Sequence, residues 1–261
     1  MNSDAWNPSQ YHRFADARLR PAVDLLARIS LGDPTAVYDL GCGSGKTTAL
    51  LARRWPKARI VGVDSSGRML ASARQEFPGL EFIQADLARW APPEPADLLF
   101  SNAALHWLDD HAALFPRLIA QVKPGGHFAV QIPHNHDQPS HRAITAAAQA
   151  GPWHERLRAL LRPSPVSPAA AYHAMLVPHA RALDIWETTY LQILEGVNPV
   201  AEWTKGTALS PLLEALEGAQ REQFETAYRA LVAKAYPSDA QGKTLFSFRR
   251  LFIVAERGNG G

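Results

Sequence analysis

The first half of the sequence alternates short apolar runs with stretches of helical periodicity. Apolar runs at 36–40, 59–63 and 80–84 are separated by helical patterns at 47–55 and 67–77. Strands that alternate with helices of this length form parallel sheets, because each helix returns the chain to start the next strand in the same direction. The pattern therefore predicts an α/β fold with a mostly parallel sheet.

The same alternation continues to about residue 133. It predicts a strand at 97–101, a helix at 112–122, a turn at 123–126 and a fifth strand at 127–132. An amphipathic helix is predicted at 18–29, before the first strand.

The second half of the sequence has a different texture. Helical patterns cover 143–161 and 197–236, alternation between apolar and polar residues predicts a strand at 184–194, and a closing strand is expected at 244–254. This last strand pairs late in the chain.

These elements predict a single domain over residues 1–261, in which helical insertions cap one sheet. We expect the insertions to belong to the same domain as the sheet rather than to form an independent one, since the sequence shows no repeat or low-complexity block. The predicted parts are a core of about 18–133, 182–194 and 244–256, an N-terminal lid at 1–17, and cap insertions at about 137–176 and 197–236.

Composition excludes several classes of protein. The single cysteine cannot form an internal disulfide, and the first 20 residues contain no apolar segment typical of a secretory signal. No run approaches the roughly 18 apolar residues of a membrane span, and 27 basic residues are dispersed among 25 acidic ones. We therefore expect a cytoplasmic protein without nucleic-acid or membrane partners, present as a monomer or homodimer.

A glycine-rich loop, Asp39-Leu40-Gly41-Cys42-Gly43-Ser44-Gly45, joins the first strand to the following helix. Glycines at such a turn let the backbone approach a ligand closely. A phosphate-binding P-loop requires four residues between its first glycine and Gly-Lys-Thr. In this chain only three residues separate Gly41 from Gly45-Lys46-Thr47. The dinucleotide fingerprint requires its third glycine where this chain has Lys46, so both of these ligand classes are disfavoured.

The loop instead resembles the acidic-x-Gly-x-Gly-x-Gly loop of class I S-adenosylmethionine-dependent methyltransferases. This resemblance implies a Rossmann-like, mostly parallel sheet whose last strand is antiparallel, and S-adenosylmethionine as cofactor. In that fold Asp64, which ends the second strand, is placed to accept both ribose hydroxyls, although it could instead cap the next helix. Asp86, after the third strand, is placed to accept from the adenine amino group or, alternatively, to cap its own loop.

Asn102 follows the fourth strand at the carboxyl edge of the sheet, where ligands of open α/β folds bind. Cys42 lies between two glycines without a neighbouring base, so we interpret it as a small residue that fills the turn. The cofactor-binding residues predicted in addition to Asp64, Asp86 and Asn102 are Tyr11, Arg18, Asp39, Gly41, Cys42, Gly43, Gly45, Ser65 and Leu87.

No metal site is predicted. The ten histidines contain no His-x-x-x-His pair. The nearest group, His134, Asn135, His136 and His141, lacks the cysteine partners of a structural zinc site.

Nearly the whole chain resembles the trans-aconitate methyltransferases, a family of class I S-adenosylmethionine-dependent enzymes. The opening Trp6-Asn7-Pro8, the strand Asp184-Ile185-Trp186 and the ending Arg250-Leu251-Phe252-Ile253-Val254-Ala255 are more specific to this family than the glycine loop. The stretches that carry the resemblance also include Tyr11 with Phe14, Gly62-Val63-Asp64-Ser65-Ser66, and Leu105-His106-Trp107-Leu108 with Asp110. The segments 154–167 and 205–209 match it poorly.

This resemblance implies methyl transfer to a carboxylate of a propene tricarboxylate, which would give a monomethyl ester and S-adenosylhomocysteine. A carboxylate is already anionic at neutral pH, so the reaction needs alignment and desolvation but no general base. The carboxylates that do not react need cationic or hydroxyl donors, of which arginine is the most suitable.

The predicted acceptor-binding residues lie in three parts of the sequence. Arg250 shares a strand face with phenylalanines at period two, which is unusual for a charge unless it meets an anion or forms an internal ion pair. Its neighbour Arg249 is predicted to face the other way, into solvent. The remaining candidates are His106 and Trp107, after the fourth strand, and Tyr190 and Trp203, in the second half of the chain.

Two other functions remain open from the sequence. The acceptor could be another small carboxylic or hydroxylated metabolite, and a hydroxyl acceptor would need a base, for which His106 is the first candidate. Alternatively, the chain could be a non-catalytic module that binds S-adenosylmethionine and presents its helices to a protein partner.

Overall fold

The computed structural model describes residues 19–161, 164–206 and 208–259. Its strands are β1 (Ala36–Leu40), β2 (Arg59–Asp64), β3 (Glu81–Gln84), β4 (Ala96–Asn102), β5 (Val122–Pro133), β6 (Ala180–Glu195) and β7 (Lys243–Arg257). Its helices are α1 (Arg20–Ala27), α2 (Lys46–Arg54), α3 (Gly67–Glu76), α4 (His111–Ile119), α5 (Pro139–Gln149), α6 (His154–Leu157), α7 (Ala169–Leu176), α8 (Pro199–Lys205), α9 (Ser210–Glu214) and α10 (Gly218–Ala235). Short 3-10 helices cover Leu105–Trp107 and Arg158–Leu160.

The strands form one seven-stranded sheet in the order β3-β2-β1-β4-β5-β7-β6. The first five strands pair in parallel, and the last strands are antiparallel. The predicted α/β class and the mostly parallel sheet with an antiparallel end are therefore confirmed. In this order β1 is flanked by β2 and β4. The chain therefore adds β2 and β3 on one side of β1 and the later strands on the other side, and open α/β sheets bind ligands at the point where this change occurs.

The described residues divide into two compact units. Unit 1 contains 19–133, 165–188 and 251–259, and unit 2 contains 134–161, 164, 189–206 and 208–250. Helix α7 lies within the predicted first insertion, but it belongs to unit 1 because Tyr172 and Leu176 are fully buried in the core of that unit.

The core of unit 1 lies on the face of the sheet formed by its central strands. Leu40, Val63, Leu99 and Val130 come from four neighbouring strands and are completely buried there. Each fully buried side chain of this size stabilises the fold by roughly 1.5–3 kcal/mol relative to exposure. The central strands are thus fixed by packing, which places their carboxyl ends side by side.

Unit 2 has a separate helical core. Helix α10 packs on α5 and α8, and its Phe224, Tyr228 and Val232 are fully buried at the spacing of one helix face. Phe246 of β7 completes this cluster.

Two long helices predicted in unit 2 are interrupted in the structure. The first helix in the 143–161 pattern ends at Gln149, because Gly151 and Pro152 interrupt it and Trp153 folds back to donate from its indole to Ala147 O at 2.9 Å. Short helices then cover 154–160. A Cβ at Gly151 would lie 2.3 Å from the Trp153 ring, so no larger residue fits there.

The 197–236 segment, which is helical in sequence pattern, is divided into α8, α9 and α10. Helix α8 ends before Gly206, and α10 begins at Gly218, whose φ is +51°. Apolar residues on both sides of these breaks face the same core, which is why the periodicity continues across them.

The predicted turn at 123–126 lies inside strand β5 rather than before it. Gly125 has a φ of +77°, and the pairing of β5 with β4 shifts register between Ala96 and Leu98. Strand β5 therefore continues through an irregularity near Gly125. The local sequence alone predicts a turn at this place.

Among the described residues, no helix is both long enough and apolar enough to cross a membrane. In the same part of the chain, no group of three or more histidine, cysteine or acidic side chains is arranged to hold a metal ion.

Candidate active site

The glycine loop between β1 and α2 is a tight turn bonded to the neighbouring strand. Gly41, Gly43 and Gly45 have φ values of +76°, +53° and +82°, in the left-handed region. The main-chain N–H groups of Gly41 and Cys42 both donate to Val63 O, at 2.7 and 3.1 Å. The loop therefore lies against the end of β2, and its last glycine opens α2.

Gly41 also makes room for the segment that follows β4. A Cβ on Gly41 would lie 2.1 Å from the Cβ of Ala104 and 3.9 Å from Leu87 Cδ1. Ala104 is placed there by a backbone turn in which Ala103 has a φ of +54°, a strained conformation for alanine. Two chain segments at the carboxyl edge of the sheet thus meet at Gly41.

Asp64 ends β2 and uses its carboxylate to connect the loop with the next helix. Its Oδ2 accepts from the main-chain N–H of Gly43 at 2.9 Å, and its Oδ1 accepts from that of Ser66 at 2.8 Å. Helix α3 is capped by the Ser66 hydroxyl, which accepts from Met69 N, so Asp64 is not its cap. Each Asp64 oxygen retains a further lone pair, and the side chain is half-buried.

Asp39 and Cys42 lie beneath the loop. Asp39 is 1% exposed, and the Thr48 hydroxyl donates to its Oδ2 at 2.7 Å. Burial raises the pKa of Asp39 to about 7, despite the opposing effect of this hydrogen bond. Burial also raises the pKa of the Cys42 thiol well above its usual value, so a thiolate nucleophile is disfavoured at neutral pH.

The loop after β3 carries the next predicted residues. Asp86 is exposed, and its Oδ1 accepts from Ala88 N at 3.0 Å, so it does cap its loop. Leu87 is 8% exposed and packs towards Gly41. Ser65 is exposed, and its carbonyl accepts from Gln84 Nε2.

Asn102 is the last residue of β4 and pairs in register with Gln131 of β5. Its Oδ1 is buried and has no hydrogen-bond partner within the described residues. A buried acceptor of this kind is rare in native structures, and it suggests a donor supplied by a ligand or by water.

The 3-10 helix that follows β4 holds His106 and Trp107. Their rings lie 4.7 Å apart, and the indole of Trp107 is 63% exposed. His111 supports this turn, because its Nε2 donates to Leu105 O at 3.0 Å while its Nδ1 accepts from the Tyr172 hydroxyl at 2.6 Å. Burial lowers the pKa of His111, which favours the neutral ring that this arrangement requires.

The remaining acceptor candidates belong to unit 2. Arg250 is 8% exposed, and its guanidinium lies 4.5 Å from the centre of the Phe248 ring, on the strand face that period two predicts. Burial lowers its pKa to about 10, with Tyr190 acting in the opposite direction, so Arg250 stays charged at neutral pH. Tyr190 is 3% exposed, and Trp203 contacts the Phe246 and Phe248 rings.

Arg249 was predicted to face solvent, and that prediction is wrong. Its Nε donates to His134 O at 2.8 Å, and its Nη2 contacts Asp137 Oδ1 at 2.7 Å. Tyr11, Arg18 and the predicted N-terminal lid lie outside the described residues.

Sequence reasoning missed several supporting residues. Thr48 donates to Asp39, nine residues earlier, whereas Ala104, His111 and Tyr172 act through partners distant in sequence. His111 and Tyr172, for example, are 61 positions apart. For His111 there was a local signal in the sequence, the preceding Asp110. The Asp110 side chain caps α4 by accepting from Ala113 N.

The polar groups of unit 1 that lie at the carboxyl edge are mainly acceptors. Two carboxylates, of Asp64 and Asp86, and the Asn102 amide oxygen follow β2, β3 and β4. Such a set fits a ligand that presents hydroxyl and amino donors, as a nucleoside does, and repels a phosphate chain.

Proteins similar in sequence to this chain are methyltransferases. A sequence model described as a methyltransferase domain matches residues 37–126, which include β2 to β4, the glycine loop and all but the first residue of β1. The trans-aconitate 2-methyltransferase of Azoarcus sp. strain BH72 is 50% identical over 97% of this chain and 99% of its own length. The chain belongs to the trans-aconitate 2-methyltransferase family. The Yersinia pestis strain Pestoides F member is 45% identical over 96% of this chain and 97% of its own.

A more distant solved structure shares the fold. Coclaurine N-methyltransferase, solved with N-methylheliamine and S-adenosylhomocysteine bound, superposes with a TM-score of 0.53 at 14% identity. The alignment covers 92% of this chain and 72% of that protein. The predicted family and the class I methyltransferase fold are therefore both confirmed.

Gly41→Ala tests the packing of the loop. We expect a loss of roughly 1–3 kcal/mol in the free energy of unfolding from the positive φ alone, and more because the new Cβ overlaps Ala104. The measurement is urea denaturation. Gly79→Ala is the matched control, since no atom lies within 4 Å of its Cβ position. Equal stability of the two variants would contradict the account.

Proposed function

We propose that this chain transfers the methyl group of S-adenosylmethionine to a carboxylate of trans-aconitate, giving a monomethyl ester and S-adenosylhomocysteine. The observation that carries the proposal is the set of acceptor groups around a positive-φ glycine loop, in a chain 50% identical to a trans-aconitate 2-methyltransferase over nearly its full length.

The residues of unit 1 fit this cofactor. The free lone pairs of Asp64 accept the two ribose hydroxyls, and Asp86 accepts from the adenine amino group. Asn102 Oδ1, buried without a partner among the described residues, accepts from the amino group of the methionine part. When bound, the cofactor supplies an electrophilic methyl group on a sulfonium.

The chemistry requires no catalytic base. The acceptor carboxylate is ionised at neutral pH, and its oxygen forms the new C–O bond as the C–S bond breaks. The protein contributes alignment of the two reactants and exclusion of water. Raised pKa values at Cys42 and Asp39, the two buried groups under the loop, are consistent with structural roles for both.

Arg250 is proposed to bind a carboxylate that does not react. It is a charged guanidinium buried on an aromatic strand face, a position that costs solvation free energy unless an anion or other strong acceptors compensate it. Its planar fork suits a carboxylate, and Tyr190 and Trp203 of the same unit supply a hydroxyl and an apolar wall. His106 and Trp107 line the methyl-transfer position.

We further propose that residues 1–261 function as one methyltransferase domain in the cytoplasm, as a monomer or homodimer without nucleic-acid or membrane partners. The single buried thiol and the small anionic acceptor support a reducing, aqueous compartment.

The first test measures S-adenosylhomocysteine release with S-adenosylmethionine and trans-aconitate, cis-aconitate, citrate or no acceptor. We expect turnover with trans-aconitate well above the other three reactions. Turnover confined to another acid would contradict the acceptor assignment. Cofactor binding without turnover of any acceptor would favour a non-catalytic binding module.

Arg250→Met tests the acceptor role. Loss of a charged hydrogen-bond donor should raise the KM for trans-aconitate on the order of 10- to 100-fold, with little change in cofactor affinity. Arg250→Lys should be intermediate, because the charge remains and the fork is lost. Arg156→Met, at an exposed arginine of unit 2, is the control. An unchanged KM in a folded Arg250→Met protein would exclude the role.

A further inference from the structure

A histidine-rich segment at the start of unit 2 is not used by the proposed site. This segment, residues 134–141, is named here the histidine loop; it begins directly after β5 and ends in the first turn of α5. Arg249 anchors it by donating to His134 O and by pairing with Asp137. The loop is therefore held in a defined conformation from β7.

Two consecutive residues of the histidine loop carry buried polar atoms without partners. Asn135 is 1% exposed, and its Nδ2 has no hydrogen-bond partner within the described residues. His136 Nδ1 is buried and unpartnered in the same part of the chain. Native proteins contain few such groups, because each loses its hydration without gaining a bond. Their occurrence side by side makes this loop a candidate ligand site.

The rings of the histidine loop pack against each other. The centres of the His136 and His141 rings lie 5.2 Å apart, and His141 Nδ1 is 3.4 Å from the Ser140 hydroxyl. Desolvation lowers the pKa of His136 and lowers that of His141 to about 4, so both rings are neutral at pH 7. A neutral ring can still donate one N–H, as the amide of Asn135 can donate from Nδ2.

These donors suit an oxyanion better than a metal. The Asn135 Nδ2 group can only donate, so its missing partner must be an acceptor. The described residues contain no group of three or more potential metal ligands. An acceptor with three carboxylates offers anionic oxygens with suitable lone pairs for these donors.

We propose that Asn135 and His136, backed by the His141 ring, form a subsite for one unreacting carboxylate of the acceptor. The inference rests on the proposed function and deepens it, because this subsite distinguishes a tricarboxylate from acids that have one carboxylate fewer. Arg250 and the histidine loop, both in unit 2, then bind different carboxylates of the acceptor.

His136→Phe tests the subsite, since it retains the ring volume and removes both nitrogens. We expect the KM for trans-aconitate to rise about tenfold, as for loss of one hydrogen bond to a charged group, with kcat within about twofold. The substrates are trans-aconitate and the propene dicarboxylates that lack one of its carboxylates. For the dicarboxylate that lacks the bound group, the KM should not change.

His173→Phe, at an exposed histidine of α7, is the matched control, and Asn135→Leu and His136→Gln serve if His136→Phe does not fold. A KM increase of the same size for every acceptor, or none for any acceptor, would overturn the subsite. Such a result would leave the proposed function intact when the unaltered protein turns over trans-aconitate.

A direct binding measurement separates the two proposals. The ring nitrogen resonances of His136 are followed while trans-aconitate is added to the protein with S-adenosylhomocysteine. We expect a saturable shift in the unaltered protein that is absent on addition of the dicarboxylate lacking the bound group. If turnover is absent, the proposed function fails, and this titration alone supports or overturns the subsite.

Discussion

The hydrogen bonds between the glycine loop and the end of β2 organise the candidate site. Val63 O accepts from two consecutive N–H groups of the loop, and Asp64 Oδ2 accepts from a third, that of Gly43. The carboxylate proposed to bind ribose is therefore fixed by the loop that it adjoins. Since Gly41 also accommodates Ala104, the same loop sets the position of the chain after β4.

This arrangement fits a reaction in which alignment matters more than proton transfer. The groups of unit 1 offer acceptors to a nucleoside, and no activated nucleophile is needed for an acceptor that is already ionised. The side chains proposed to bind the methyl-accepting substrate are instead hydrogen-bond donors. They are the Arg250 guanidinium and the amide and imidazole groups of the histidine loop. Each set thus complements one reactant, which explains why the sequence shows no acid–base pair.

Much of unit 1 was predictable because its signals are local. The alternating strands, the glycine loop and Asp64 are all read from spacing within one βαβ segment, and their backbone geometry follows from positive-φ glycines and buried apolar runs. The helix breaks of unit 2 were not predictable in this way, because apolar periodicity continues across Gly206 and Gly218. Arg249 was misjudged because its partner, Asp137, lies 112 residues away.

The methyl acceptor was predicted from the family resemblance, whereas the role proposed for the histidine loop could be inferred only from the structure. Its composition suggests zinc ligands, but its histidine and aspartate side chains do not form a group of three that could hold a metal ion. Asn135 and His136 have buried polar atoms without partners among the described residues, and this observation led to the proposed carboxylate subsite. Such burial depends on the surrounding fold rather than on residue type, so the sequence does not reveal it.

Calorimetric titration with S-adenosylhomocysteine measures the binding of the methyl donor's ribose that we propose for Asp64. Asp64→Asn should weaken binding by roughly 1–3 kcal/mol, because a charged acceptor of two hydroxyl groups is lost. Asp33→Asn, at an exposed aspartate, should leave the affinity unchanged. Equal affinity of the unaltered protein and a folded Asp64→Asn variant would contradict the account.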